Sequence, residues 1–302
     1  MSDVHTDRYA NDWNRYSQEW DRHYGARYQH LGDEWCDDGT ADRQWESRLF
    51  AFAVEPFLSP TSCALEIGPG GGKWTVRLAP RVGQLTVFDV ADSMLERTRA
   101  RVTSHGLTNV SFVHGPCGAL TGIADDSVDL VFSYDVFVHI ALEDTVAYIG
   151  EITRVLRDGG VAIVHHAVND TSPAWDRIES HNVWYRNRAH TLGQYYYQSG
   201  GALERLYGRF GLHVDAAWTT YCTTLLLARK ASDSIVPRLE RALMRAGAAD
   251  EDGELQEAVE DILASGRELS SRLEGLTRSL GVTKPGSARF ERIQQIRRLV
   301  RG

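Results

Sequence analysis

Lysine is almost missing from this chain: Lys73, Lys230 and Lys284 stand against 30 arginines in 302 residues. A bias that runs along the whole length reads as genome composition, because a binding site would gather its cations in one stretch. A net charge of −8 also removes the basic surface that bulk electrostatic binding to nucleic acid requires. Cysteine is scarce. Cys36, Cys63, Cys117 and Cys222 form no C-x-x-C pair, which argues against a structural zinc site and for a reducing compartment. No stretch approaches the roughly 20 apolar residues of a membrane span. The opening "MSDVHTDRYANDW" has no apolar core of a signal peptide. These absences lead us to expect a cytoplasmic protein with no transmembrane segment and no nucleic-acid partner.

What is present is ordinary globular material: 42% hydrophobic and 25% charged residues, enough for a large core. Three textures divide it. Residues 1–60 are rich in Trp, Tyr, Arg and Asp and read as amphipathic helices. In "WDRHYGARYQHLGDEW" Trp20, Tyr24 and Tyr28 fall four apart, on one helical face. The segment is either a helix packed on the main domain or a lid whose aromatics, with Asp33 or Glu34, close over a ligand. Residues 61–230 alternate buried-strand runs ("CALEIG", "QLTVFDV", "VSFVHG", "VDLVFSY", "GVAIVHHA") with helical patterns. Ser93 to Val102 starts after a capping Asp-Ser pair, and another helix runs to Arg157 before Gly159-Gly160. That alternation predicts a parallel sheet with helices on both faces. Residues 231–302 carry no strand signal. Leu255, Val259, Ile262, Leu269, Leu273, Leu276 and Leu280 form a heptad seam interrupted at Gly266, which suits a partner helix slightly better than a globular face. We therefore expect a homodimer through C-terminal helices.

"LEIGPGGGKWT", Leu65 to Thr75, spends four glycines behind a strand. Such a turn lets backbone approach a ligand, and the helix that follows offers free N–H groups. It is not a phosphate-binding P-loop, because Lys73 is followed by Trp74 and not by Ser or Thr. It is not G-x-G-x-x-G either, because Lys73 occupies the third glycine's place. What stands is E-x-G-x-G, with Glu66, Gly68 and Gly70.

That stretch resembles the first motif of the class I S-adenosylmethionine-dependent methyltransferases. "DSVDLVFSYDVFVHI" resembles their fourth-strand motif and "VLRDGGVAIV" their turn into the fifth strand. The resemblance covers residues 45–230 and implies a Rossmann-like α/β sheet, here with N-terminal helices and a helical C-terminal extension. It implies S-adenosylmethionine as cofactor, held by Glu66, Gly68, Gly70 and Ser133. Asp89, nineteen residues after Gly70, falls where the family holds an acid against the ribose hydroxyls. A carboxylate accepts two hydrogen bonds from a vicinal diol. The family's acidic adenine contact is missing from "HGPCGAL", so backbone at Cys117 and Gly118 is expected to take that part. Met94 either packs on adenine or is a helix residue facing the sheet.

The acceptor's chemistry is less well marked. A hydroxyl needs a base or a metal to take its proton. Asp135 and His139 follow the fourth strand; His139 is the expected base, with Asp135 and His166 next. Asp135, Asn169 and Asp170 have the composition of the family's metal-dependent members, with the Asp-Asn order reversed, so Mg²⁺ is a candidate. The alternative for Asp170 is a turn cap. The insert at 171–208 holds Trp175, Trp184, Tyr185, Arg186, Arg188 and Tyr195-Tyr196-Tyr197. Rings stack on sugars while charged groups bind hydroxyls. With "HLGDEW" and "FVHI", this looks similar to bacterial enzymes that O-methylate sugars or polysaccharides. A small-molecule O- or N-methyltransferase of secondary metabolism is the alternative. A non-catalytic cofactor-binding interaction protein is the third. The family's D/N-P-P-Y-type signature for flipped bases is absent, which disfavours nucleic acid.

Overall fold

The computed structural model describes residues 4–36, 44–186 and 193–231. The heptad seam and the rest of the C-terminal extension lie outside the described residues.

Seven strands form one sheet: β1 Cys63–Ile67, β2 Gln84–Asp89, β3 Val110–His114, β4 Val128–Ser133, β5 Leu156–Ala167, β6 Leu212–Thr220 and β7 Thr223–Lys230. Their order is β3-β2-β1-β4-β5-β7-β6. The five expected strands are all present and mutually parallel, with Leu65 opposite Thr86 on one side and Val131 on the other. β1, β2, β4 and β5 are largely buried and read as near-continuous apolar runs, while β3 at the sheet edge is only partly covered.

The sheet is not parallel throughout. β7 runs antiparallel to both β5 and β6. The reason is local: Tyr221 and Cys222 alone separate β6 from β7, far too few residues for a crossover. Tyr221 takes φ +49° to make that hairpin turn.

The described helices are α1 Val4–His23, α2 Gln44–Leu49, α3 Thr75–Leu78, α4 Asp92–Ser104, α5 Leu142–Val155, α6 Ser172–Arg186 and α7 Gly200–Arg209. α5 stops earlier than the glycine pair suggested. Leu156 is already extended (φ −67°, ψ 136°) and pairs with Val128. α5 and α7 bury Tyr148, Ile149, Ile152, Leu203 and Tyr207 in the main core with β1, β4 and β5.

The N-terminal aromatics do not share one helical face. α1 ends at His23, so Tyr24 and Tyr28 belong to the turn behind it. Trp20 is 2% exposed, but Tyr24 is 37% exposed. α1 is nevertheless fastened along its length. Arg97 on α4 donates to Ser17 Oγ at 2.8 Å and pairs with Asp21 at 2.9 Å. Asn14 Oδ1 accepts from the Ser93 N–H at 3.1 Å, satisfying a free amide of the α4 N-terminus. Tyr9 donates to Asp144 at 2.8 Å and accepts from the Ala141 N–H at 3.0 Å. The helix thus bridges the starts of α4 and α5.

Candidate active site

The strand order reverses between β1 and β4, and ligands of open α/β sheets bind at the carboxyl ends of strands there. A cleft opens at that edge. It runs from Asp89 at the end of β2, across the glycine turn after β1, to Tyr134 and Asp135 after β4. Tyr9 and Trp13 of α1 line it from above.

The glycine turn is needed for two different reasons. Gly68 sits at φ +71°, and a Cβ there would lie 2.3 Å from Val136 Cγ2. At Gly71 a Cβ would lie 2.0 Å from the carbonyl oxygen of Leu31. Part of the run therefore exists so that the N-terminal segment can close on the loop, a packing demand with no local sequence signal. Gly68 and Gly70 line the cleft.

Asp89 lines the cleft and is 7% exposed. Burial pushes its carboxyl up to about 7, against the N–H groups of Ala91, Val90 and Gly70 that favour the anion. Ala91 donates at 2.8 Å. Glu66 lies beneath the loop, 2% exposed, and accepts from the Thr75 hydroxyl at 2.6 Å. Burial pushes it up to about 8. Met94 and Cys117 both line the cleft. Met94 also packs with Trp20, Leu31 and Ala91, against the N-terminal segment. Cys117 is a free thiol that burial raises to about 12. Ser133 differs from expectation: it is fully buried and donates to the Ile67 carbonyl at 2.9 Å. It ties β4 to β1 and does not line the cleft.

At the other end Asp135 lines the cleft with φ +59°, a left-handed conformation that Asp tolerates better than most residues. Its Oδ1 lies 2.9 Å from His165 Nδ1. The His165 ring stacks on Tyr134 with centroids 4.2 Å apart and planes 2° apart. Trp74 meets Tyr134 at 5.2 Å. His139 is close by but behind this wall. It ends a short 3₁₀ turn, Phe137–His139, and not a helix. Its ring packs edge-on against Trp13 at 5.3 Å and Tyr195 at 5.1 Å. Nδ1 lies 2.8 Å from the Gln194 carbonyl, which can only accept, so Nδ1 carries the hydrogen and Nε2 the lone pair. Burial lowers its basicity, Asp135 and the Gln194 carbonyl oppose that, and His165 and Arg177 add to it.

Two expectations fail. His166 is fully buried, bonds Tyr207 Oη at 2.8 Å, and stands edge-on to Phe137. Burial holds it down to about 3, so it is a neutral core residue on the α7 side and not a catalytic group. The metal set does not assemble. Asp135 is taken by His165, and Asp170 accepts the Gly200 N–H at 2.5 Å, a cap before α7. Asn169 lies on the same segment, its backbone N–H bonded to the Gln198 carbonyl. No group of three His, Cys, Asp or Glu side chains suited to a metal forms among the described residues. Asp33 and Glu34 are likewise occupied, by Arg101 and by Tyr16 and the Gly32 N–H. Trp13, Tyr134 and His165 were not singled out as site residues. Tyr134 lay inside a motif already recognised, while Trp13 reaches the cleft only through the docking of α1.

The lining charges are Glu46, Asp89, Asp135 and Lys73, and Lys73 pairs with Glu46. That balance suits a ligand carrying positive charge. With the glycine cradle and a carboxylate placed for a diol, the residues present fit S-adenosylmethionine.

Residues 64–160 match a methyltransferase-domain family. Phosphoethanolamine N-methyltransferase 1 of Triticum aestivum is 29% identical over 128 residues, 41% of this chain and 25% of its own length. Nodulation protein S of Rhizobium tropici is 24% identical over 148 residues, 48% of this chain and 60% of its own. The chain thus spans between a quarter and three fifths of these two relatives. Among solved structures, the [4+2]-cyclase SpnF superposes with a TM-score of 0.57 at 17% identity, over 75% of this chain and 96% of that one. Residues 64–160 are thus similar to a methyltransferase domain, and the sheet that carries them is Rossmann-like. No described helix is long and apolar enough to cross a membrane.

Proposed function

We propose that this protein transfers a methyl group from S-adenosylmethionine to a hydroxyl of a sugar or polysaccharide. One observation carries the methyl-transfer reading: a single cleft joins the carboxylate of Asp89, across the glycine turn, to the carboxylate of Asp135. The cofactor, when bound, supplies an electrophilic methyl on its sulfonium. Asp89 receives the ribose hydroxyls, Gly68 and Gly70 let the backbone approach, and Met94 and Cys117 wall the adenine. Asp135 meets the acceptor. His139, with its lone pair on Nε2, takes the proton onward. α1 excludes water above them through Tyr9 and Trp13. No step is assigned to a metal.

The rings of Trp13, Trp74 and Tyr134 beside Asp135 support the sugar acceptor, since flat faces stack on sugars while a carboxylate takes hydroxyls. The same rings and carboxylate also suit an ammonium group. The wheat relative is named for phosphoethanolamine, so a small amine is the second reading. The solved cyclase of similar fold keeps a third in view, because the fold by itself does not require methyl transfer. A cytoplasmic dimer is part of the proposal.

Incubation with methyl-tritiated cofactor and a panel of oligosaccharides, free sugars, ethanolamine phosphates and phenols separates the three. Label on a sugar supports the first reading and label on an amine the second. Cofactor binding with no transfer to any acceptor class favours the third.

A further inference from the structure

We propose that His165 is a positioning residue that holds the Asp135 carboxylate in its working orientation. This rests on the methyl-transfer reading and deepens it. His165 is 7% exposed on its side chain, Asp135 33%. His165 thus stands behind the cleft wall while Asp135 faces the cleft. The 2.9 Å contact is made to a carboxylate oxygen, an acceptor, so Nδ1 of His165 carries the hydrogen and donates to Oδ1. The Asp135 N–H also approaches the same nitrogen, at 3.4 Å, but the shorter 2.9 Å contact to Oδ1 is the stronger of the two and sets the tautomer. With Oδ1 taken, Oδ2 is the oxygen left to the cleft.

The imidazole is itself held. Its ring lies flat on Tyr134, the residue before Asp135, and its strand position in β5 is pinned by pairing with Leu225 of β7. Asp135 needs such a hold. Its left-handed φ of +59° leaves the side chain on a turn, with no regular element to orient it. β4 lies beside β1 on the side away from β2, so Asp135 stands at the opposite end of the cleft from Asp89. If the ribose lies on Asp89, the reacting end points to Asp135. There Oδ2 receives the acceptor's proton as the acceptor's lone pair bonds the methyl carbon and the carbon–sulfur pair returns to sulfur.

The test reads the carboxylate's place without needing an acceptor. The full chain is loaded with S-adenosylmethionine carrying a ¹³C-methyl group, and the bound methyl resonance is recorded by NMR. Calorimetry comes first: a parent protein that binds no cofactor sinks the methyl-transfer reading itself and not this assignment. Asp135→Asn defines the shift produced by losing the charge. His165→Ala should move the resonance most of the way to the Asp135→Asn position, with the cofactor still bound. His165→Asn should leave it at the parent position, because the Asn amide nitrogen occupies the place of Nδ1, two bonds from Cβ. If the alanine variant fails to fold, His165→Leu fills the volume without the donor and takes its place. A parent-like resonance in the Ala or Leu variant overturns the proposal. So does an Asn variant that behaves like Ala, or an Asp135→Asn protein whose methyl signal does not move.

Discussion

Asp89 carries the sharpest residue-level consequence. Burial raises its carboxyl to about 7, so near that pH the empty protein holds it partly protonated. Two hydroxyls donating to it would favour the anion. Cofactor binding at pH 6–7 should therefore release protons, and affinity should weaken as pH falls below 7. Calorimetry in two buffers of different ionisation enthalpy reads the release directly. Asp89→Asn should abolish it and weaken binding by roughly tenfold, the value of one charge-assisted hydrogen bond. An unchanged proton count in Asp89→Asn would move the ribose elsewhere.

His166 makes the opposite kind of prediction, about stability. Its folded value is about 3 against an ordinary 6.5, so between those pH values the unfolded chain binds the extra proton. Stability from this group is present above pH 6.5 and is lost as pH falls towards 3. The slope approaches about 1.4 kcal/mol per pH unit for one proton. His166→Phe should flatten the acid limb of a denaturant-unfolding series relative to the parent. Sequence could offer His166 as a catalytic candidate but not exclude it. Adjacent residues on a strand face opposite ways. His165 meets Asp135 beside the cleft, while His166 meets Tyr207 in the core.

At the scale of elements, strands β1 to β5 were legible because buried parallel strands are written as unbroken apolar runs. The antiparallel β7 was not distinguishable from them, since direction is set by loop length and pairing. α1 was legible as a helix, but its use was not. Arg97 fastens it to α4 through Ser17 and Asp21 from 76 residues or more away. We expect Arg97→Ala to raise hydrogen exchange in Val4–His23 and to weaken cofactor affinity several-fold, because Trp13 and Tyr9 would no longer be held over the cleft. Exchange unchanged in α1 would show that Tyr9 and Asn14 suffice.

Across the whole molecule, the seam from Leu255 to Leu280 bears on assembly. We expect a homodimer by light scattering, dissociated when Leu269 and Leu273 are both changed to Glu. Charges in an apolar seam carry a large desolvation cost. A monomeric parent would assign the seam to packing within one chain.

The sequence by itself determined the domain and its cofactor class. Glu66-Ile67-Gly68-Pro69-Gly70, the acid at Asp89 and the strand runs are local patterns, and local patterns survive being read in one dimension. Which side chains face the reacting end was decided only by the tertiary structure. Asp135 was named from its position, but its partner His165 lies 30 residues on, across the β4–β5 pairing. Gly71 lines the cleft, and the Leu31 carbonyl also lies close over it, a demand no local pattern shows. The metal set had the right composition, yet Asp170 caps α7 and Asp135 meets an imidazole. Carboxylates bind whatever donors the fold brings within about 3 Å, and that distance is not written along the chain.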